Sequence, residues 1–469
     1  MHLSKNTVSR LTAHTIILMW AVAAYVFFQS SYSYTFFYKE QNQLFLLSSE
    51  HISGYLSRQA WLSNLTGDFL TQFYYYLYAG PVIYAFLILF TGIITYLALR
   101  RLGLPRFVSC LIASAAEVLL IIFNFDPDYK TSAALSLTGT AVVLLLWTGF
   151  TECGFWSKNV GAMACPRPSL SNVGAMACPR PTLNNVGAGR VPARILGCVL
   201  VRTVTGVVFA AAAWWMFGLG LPSIGRLSTP YHQLEDYLEA DCLYYFGKDA
   251  ELSKKVESMK KDEVTGVISA YYYMSKSRLG MLPQSIGKVS PVNLGTLFHI
   301  GPKSSIQEIK LMAEFYFLLG DMTMTERAAM IALVSSPGNR NVRMIKRLAE
   351  ANLVAGDELA AKKYLGILEK TFAYRKWAKS IRNGHLNSKL RTKREYVTNN
   401  DRLRTDDNCR IVLLGLLEAN PHNKVALDYL MCTDIQVGDL TLLHEDYEKY
   451  YLPYYGEAKE KLYRTYLHQ

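Results

Sequence analysis

Residues 195–222 read ILGCVLVRTVTGVVFAAAAWWMFGLGLP, and they divide the chain into two kinds of polypeptide. From Thr203 to Leu221 the residues are apolar or small, enough to cross a hydrocarbon core that takes roughly 20 residues at 1.5 Å each. Arg194 and Arg202 stand at its start. Four more apolar stretches precede it, at 11–28, 81–99, 107–124 and 132–150, and no run of membrane length follows Pro222. The pattern predicts an all-α chain: a five-span transmembrane bundle over residues 1–222, then a soluble helical domain over 223–469. Residues 11–28 follow Lys5 and Arg10 as a leader would. Tyr25, Phe27 and Phe28 run on into QSSYSYTFFYK without a small-residue cleavage pattern, so the stretch reads as a first span.

The formal net charge of +12 over 469 residues raises nucleic acid as a partner, and the distribution of that charge argues against it. Residues 1–222 hold 14 Lys/Arg against 7 Asp/Glu, with most of the basic residues crowded into short segments beside apolar spans, while 223–469 hold 35 against 30. Cytoplasmic loops carry the Lys/Arg excess in membrane proteins. Eleven basic residues (5, 10, 100, 101, 106, 158, 167, 180, 190, 194, 202) fall on the side of the N-terminus and only Lys39, Arg58 and Lys130 fall opposite. The expectation is an N-terminus in the cytoplasm and a domain at 223–469 outside it.

Two loops stand out. In residues 29–78, Phe45, Ile52, Tyr55, Leu56 and Leu62 recur at helical spacing, which reads as an interfacial helix. Phe73, Tyr74, Tyr75, Tyr76 and Tyr78 precede the second span and read as an aromatic belt at the headgroup layer. In the loop 159–194, NVGAMACPRPSLS (159–171) is followed by NVGAMACPRPTLN (172–184) and by a degenerate third copy. Its prolines exclude a regular helix, and near identity over so short a period marks a duplication in a tolerant loop. Deleting Asn159 to Asn184 is expected to leave membrane insertion and the tail intact, read by protein level in the membrane fraction.

The tail repeats one phrase. MAEFYFLLGDMTMTERAAMIAL (312–333), LAEANLVAGDELAAKKYLGIL (348–368) and NPHNKVALDYLMCTDIQVGDLTLL (420–443) each set Gly-Asp between two apolar helical runs, at Gly320, Gly356 and Gly438. Gly320 and Gly356 are 36 residues apart, near the tetratricopeptide period of about 34. Gly280 sits in a comparable turn. One helical hairpin cannot bury its apolar face alone, so stacking must supply the core. The tail therefore reads as a tetratricopeptide-like α-solenoid, without the Trp-x-x-Leu-Gly opening of the full consensus.

LFLLSSEHISGYLSRQAWLSNLTGDFLTQFYYYLYAGP (44–81), AYYYMSKSRLGMLP (270–283), NPHNKVALDYLM (420–431) and LPYYGEA (452–458) together resemble a family of uncharacterised multispan membrane proteins of Gram-negative gut-type bacteria. The resemblance covers most of the chain and leaves out 151–194. It implies an inner-membrane location and a periplasmic tail of helical repeats, and brings no catalytic residues.

The chemistry-bearing residues are few. Glu117 lies in the middle of the third span, where a charged carboxylate costs roughly 2.5–3.5 kcal/mol on insertion scales, so it is a candidate for transport or proton relay, with a protonated or hydrogen-bonded structural carboxyl as the competing reading. His14, Thr138 and Ser114 are its candidate partners. Arg375, Lys376, Lys379, Arg382, Lys389, Arg391, Lys393 and Arg394 form a run with no acidic residue among them, a candidate surface for anionic headgroups or glycans. A solvated linker between repeats is the competing reading. The chain contains no GxxxxGK(S/T), GxGxxG, HExxH or GxSxG motif, and its eight Cys show no metal-ligand spacing, so neither catalytic residues, cofactor nor metal is assigned. Cys242, Cys409 and Cys432 of the tail allow one disulfide and read as free, partly buried thiols. The leading functional reading is a non-enzymatic inner-membrane scaffold whose repeats bind envelope proteins or peptides. The alternative is an enzyme or carrier of cell-surface polysaccharide assembly using Glu117 or the loop carboxylates Asp126 and Asp128.

Overall fold

The computed structural model describes residues 5–152, 190–218, 225, 227–289, 293–295, 304–383, 388–397 and 408–468, and every regular element among them is helical. The duplicated segment 159–184, with Cys165 and Cys178, lies outside the described residues. Two units form. The first comprises Met1–Val26, Gly54–Gly67 and Ile83–Ser228, and the second Phe27–Ser53, Asp68–Val82 and Thr229–Gln469.

The N-terminal half contains α1 (Lys5–Ser31), α2 (Ser33–Gln41), α3 (Ser49–Leu56), α4 (Trp61–Thr71), α5 (Ala79–Arg101), α6 (Arg106–Asn124), α7 (Thr131–Glu152) and α8 (Arg190–Phe217). Among the described residues, four helices are long and apolar enough to cross a membrane: Thr12–Ser31 of α1, α5, α6, and Thr131–Thr151 of α7. They fall within a few residues of the spans read from sequence. The described apolar part of α8, Thr203–Phe217, is shorter than that measure. Antiparallel neighbours knit the first unit. The Tyr84 hydroxyl of α5 donates to the Leu120 carbonyl of α6 at 3.0 Å, and Tyr96 packs in a cluster with Cys110 and Ala113. Along α7 and α8, the Ser136 hydroxyl meets the Phe217 carbonyl at one end, and the Phe150 and Phe209 rings lie 6.0 Å apart at the other. Large apolar side chains of these helices point outward: Phe86, Phe90, Phe107, Leu111, Val207 and Val208 are all at least half exposed. In water such a surface would be unsatisfied, and in lipid it is the expected one.

The second unit holds α9 (His232–Tyr245), α10 (Asp249–Ser258), α11 (Gly266–Arg278), α12 (Ile306–Leu319), α13 (Met322–Ser335), α14 (Val342–Ala355), α15 (Glu358–Leu368), α16 (Arg375–Arg382), α17 (Ser388–Tyr396), α18 (Cys409–Ala419), α19 (Lys424–Val437), α20 (Leu440–Asp446), α21 (Leu452–Tyr455) and α22 (Lys461–Leu467). From α12 to α15 each helix packs on the next. The Gly-Asp phrase has a local cause. Gly320, Gly356 and Gly438 adopt φ of +89°, +87° and +80°, a left-handed close that costs a residue with Cβ. The aspartate after each caps the following helix, Asp321 accepting from Met324 N at 3.0 Å, Asp357 from Ala360 N at 2.9 Å and Asp439 from Leu442 N at 3.0 Å. Ala328, Ala329 and Ala361 are buried where the paired helices meet. Cys242 and Cys432 are buried free thiols, and Cys409 is a partly exposed one.

The first loop departs from its expected role. Instead of an aromatic belt, the residues around Gln72–Tyr75 belong, with α2, to the same unit as the tail. Every residue of α2 except Tyr34 is buried. Phe37 packs on Tyr245 and Phe246, Phe73 on Phe372 at 4.8 Å, and Tyr75 on Tyr374 at 5.4 Å. The Leu47 amide donates to the Lys370 carbonyl at 2.6 Å. Of the expected belt only Tyr76 and Tyr78 are exposed. Of the residues at helical spacing, Phe45 and Tyr55 are buried and Leu62 is half-buried, while Ile52 and Leu56 are exposed.

Candidate functional site

A cleft of about 790 Å³ opens where α15 and α16 meet the first loop. Lys362, Lys363 and Lys370 line one wall, Arg375, Lys379 and Arg382 the other, and Leu46, Leu47, Gly366 and Ile367 form the floor. The helical period explains the walls. Residues 362, 366, 370 and 375, 379, 382 recur at four- and three-residue steps, while Leu365, Leu368, Ala378 and Ile381 between them are buried. All six cations are exposed. Glu369 is the acidic residue of the lining, and it orders the arginines: its carboxylate takes Arg382 Nη1 at 2.9 Å and its carbonyl takes Arg375 Nε at 3.0 Å.

The structure thus brings together three of the eight basic residues singled out by sequence and adds three that were not. Lys376 is exposed on α16 outside the lining, and Arg391 and Arg394 are exposed on α17. The side chain of Lys389 lies outside the described residues. Lys393 turns inward and donates to the Leu318 carbonyl. Burial, with Arg347 nearby, brings its ammonium down to about 7. The segments expected as a solvated linker are helices at 375–382 and 388–396.

The loop is clasped to the tail by buried polar groups. Arg343 of α14 is 1% exposed. Its Nη1 donates to Asp241 Oδ2 at 2.6 Å and to Gln41 Oε1 of the loop at 3.1 Å, and its Nε donates to Glu314 Oε1 at 3.1 Å. Arg347 reaches Glu314 Oε2 at 2.5 Å and Glu350 at 2.8 Å, and the Tyr271 hydroxyl donates to Asp241 Oδ1 at 2.6 Å. Burial pulls the Glu314 carboxyl upward, but Arg347 and Arg343 overcome it and leave it below its ordinary value.

Two other carboxyls of the clasp go the other way. Glu40 accepts the Tyr374 hydroxyl at 3.2 Å, and burial pushes it up to about 8. Glu235 accepts the Thr35 hydroxyl and the Tyr34 amide, each at 2.6 Å, and burial still pushes it up to about 7. An acid whose folded pKa is raised contributes stability that is complete below its unfolded pKa and is lost as pH rises through the folded one. The Glu40→Gln, Glu235→Gln double variant is therefore expected to gain in melting temperature over the native protein as pH goes from about 5.5 to about 8.5. Parallel melting curves for the two proteins across that window would contradict it.

Glu117 of α6 is fully buried, and neither carboxyl oxygen has a hydrogen-bond partner among the described residues. None of the three candidate partners bonds to it. His14 stacks edge-on against Tyr96 at 5.4 Å, Thr138 bonds to Thr91 at 2.6 Å, and the Ser114 hydroxyl is itself unpartnered among the described residues. What faces the carboxyl is Gly92 of α5, where any Cβ would overlap it. Asp126 accepts the Asp128 amide at 2.9 Å, closing its own turn. Among the described residues no group of three His, Cys, Asp or Glu side chains converges as a metal site would.

Four membrane-length apolar helices joined to a helical unit define the class, a membrane protein. More particularly, the chain belongs to a family of unknown function (DUF6057), which it matches over residues 8–177 and 171–466. The two stretches overlap at 171–177, so the family pattern enters the duplicated segment from both sides instead of stopping at its edges. No curated protein matches the chain, and no solved structure does.

Proposed function

We propose that the protein is a five-span inner-membrane scaffold, with its N-terminus in the cytoplasm and a tetratricopeptide-like unit in the periplasm that docks an envelope protein or peptide. The observation that carries this reading is the composite unit, drawn from both the first loop and the tail. Its parts must lie on one side of the membrane. Between Val82 and Thr229 the chain leaves that unit and returns, which takes an even number of crossings. The helices α5, α6 and α7 supply three, and this reading takes α8 as the fourth, which with α1 gives five spans. The basic turn Arg100–Arg106 then falls on the cytoplasmic side, in keeping with the charge rule.

We place the docking surface on the hairpin helices, where Met330 and Val334 of α13 and Leu359 of α15 are exposed, Leu359 by 82%. The test is complementation of a deletion strain, scored by envelope-stress sensitivity. The Val334→Asp, Leu359→Asp variant is expected to fail while accumulating normally, and alanine at Glu117, Asp126 and Asp128 to complement. The opposite pattern would favour an enzyme or carrier working through those carboxylates.

A further inference from the structure

The cleft between α15 and α16 has no role in that reading. Six exposed cations gathered around one opening repel one another, and a surface of this sign concentrates anions. Three acidic groups offset them in part. Glu369 is spent on Arg382, the exposed Glu358 meets Lys362 only at 3.5 Å, a contact of little weight in solvent, and the exposed Glu50 acts on Lys370 at longer range. Lys363, Lys370, Arg375 and Lys379 lack any carboxylate ion-pair partner among the described residues.

The volume suits a ligand of small-molecule size, which ordinarily occupies roughly 300–1,000 Å³. Arginine presents a planar fork that pairs with two oxygens at once and lysine a mobile point charge, the combination that recognises phosphate. Leu46, Leu47 and Ile367 give the lining an apolar part that accommodates hydrocarbon beside a charged head.

We propose that the cleft is a binding site for a phosphate-bearing anion. Its source is a soluble phosphate ester or the headgroup of an anionic lipid. The loop supplies the floor, and the Leu47–Lys370 backbone bond fixes the floor against the wall, so the site exists only when loop and tail are assembled. It does not depend on the hairpin face docking a partner.

Gly366 makes the test clean. It sits within α15 on the cleft floor, and a Cβ there meets nothing within 4 Å. A side chain at 366 therefore enters the cleft without disturbing the fold. The full-length protein, purified in a neutral detergent, is titrated with inorganic pyrophosphate by calorimetry. Separately, it is placed in nanodiscs of phosphatidylcholine with and without phosphatidylglycerol, and thermal stabilisation by the anionic lipid is read.

Saturable binding in either arm is expected, weakening steeply with salt. Gly366→Glu should lower it by about tenfold or more, as loss of charge-assisted contacts does, and Gly366→Ala should stay within about twofold of the native protein. Binding of pyrophosphate names a soluble phosphate compound as the source. A response to phosphatidylglycerol alone names the headgroup. Absence of both, or binding indifferent to Gly366→Glu, overturns the proposal. The hairpin reading would survive that result, since it is tested by Val334 and Leu359.

Discussion

Replacing Arg343 with alanine is expected to destabilise the loop-and-tail unit by about 3–5 kcal/mol, the usual cost of removing one partner from a buried ion pair. The native network is satisfied at three points, with Asp241, Glu314 and Gln41 each accepting from the one guanidinium. Without it, Asp241 keeps only the Tyr271 hydroxyl and Glu314 only Arg347, and both carboxylates remain out of water. Arg343→Lys should not rescue, because a single ammonium cannot span acceptors on three different elements. Total stability of a domain is roughly 5–15 kcal/mol, so the loss is visible as an early melting transition or as protease sensitivity of the tail in the full-length protein. An unchanged transition would show that the two carboxylates find other partners and that the clasp is not what holds the loop.

Exchanging Ser33–Gln41 for a glycine-serine segment of equal length should have a larger effect. Phe36 and Phe37 are no more than 2% exposed and Tyr38 is 7% exposed. Truncating a buried aromatic costs about 3–5 kcal/mol, so three together approach or exceed the stability of the whole unit. Glu235 would also lose its hydroxyl and amide donors. The expected result is a protein whose spans still insert and whose tail is digested by an added protease under conditions where the native tail survives. A tail that remains resistant would mean it folds without the loop.

The four apolar helices were legible because a span is a property of local composition. The hairpin turns were legible for the same kind of reason, since glycine at a left-handed close and aspartate at the next cap act within a few residues of themselves. The loop was not. Thr35 and Glu235 are 200 residues apart, and Glu40 and Tyr374 are 334 apart. A cluster of aromatics before a span has the same composition whether its neighbours are headgroups or Tyr374 and Phe372. The basic run was seen as charge, and its density hid the apolar stripe of Ala378 and Ile381 that makes 375–382 a docked helix. Lys362, Lys363 and Lys370 escaped notice because Glu358 and Glu369 balance them in sequence, though Glu358 meets Lys362 only loosely and Glu369 is turned to Arg382. Glu117 stood out at once, yet the residue that faces it, Gly92, carries no side chain to announce the contact.

The composite unit is the centre of this account, and sidedness tests it most directly. Ser49 of the first loop and Ser335 of the tail are exposed, as is Leu102 in the basic turn. Each is changed singly to cysteine in a protein whose native thiols have been replaced, and intact spheroplasts are treated with a membrane-impermeant maleimide. Labelling at both 49 and 335, with 102 reached only after lysis, is the predicted outcome. Labelling of one of the first two with the other protected until lysis would place loop and tail on opposite sides of the membrane, and they could not then form one unit.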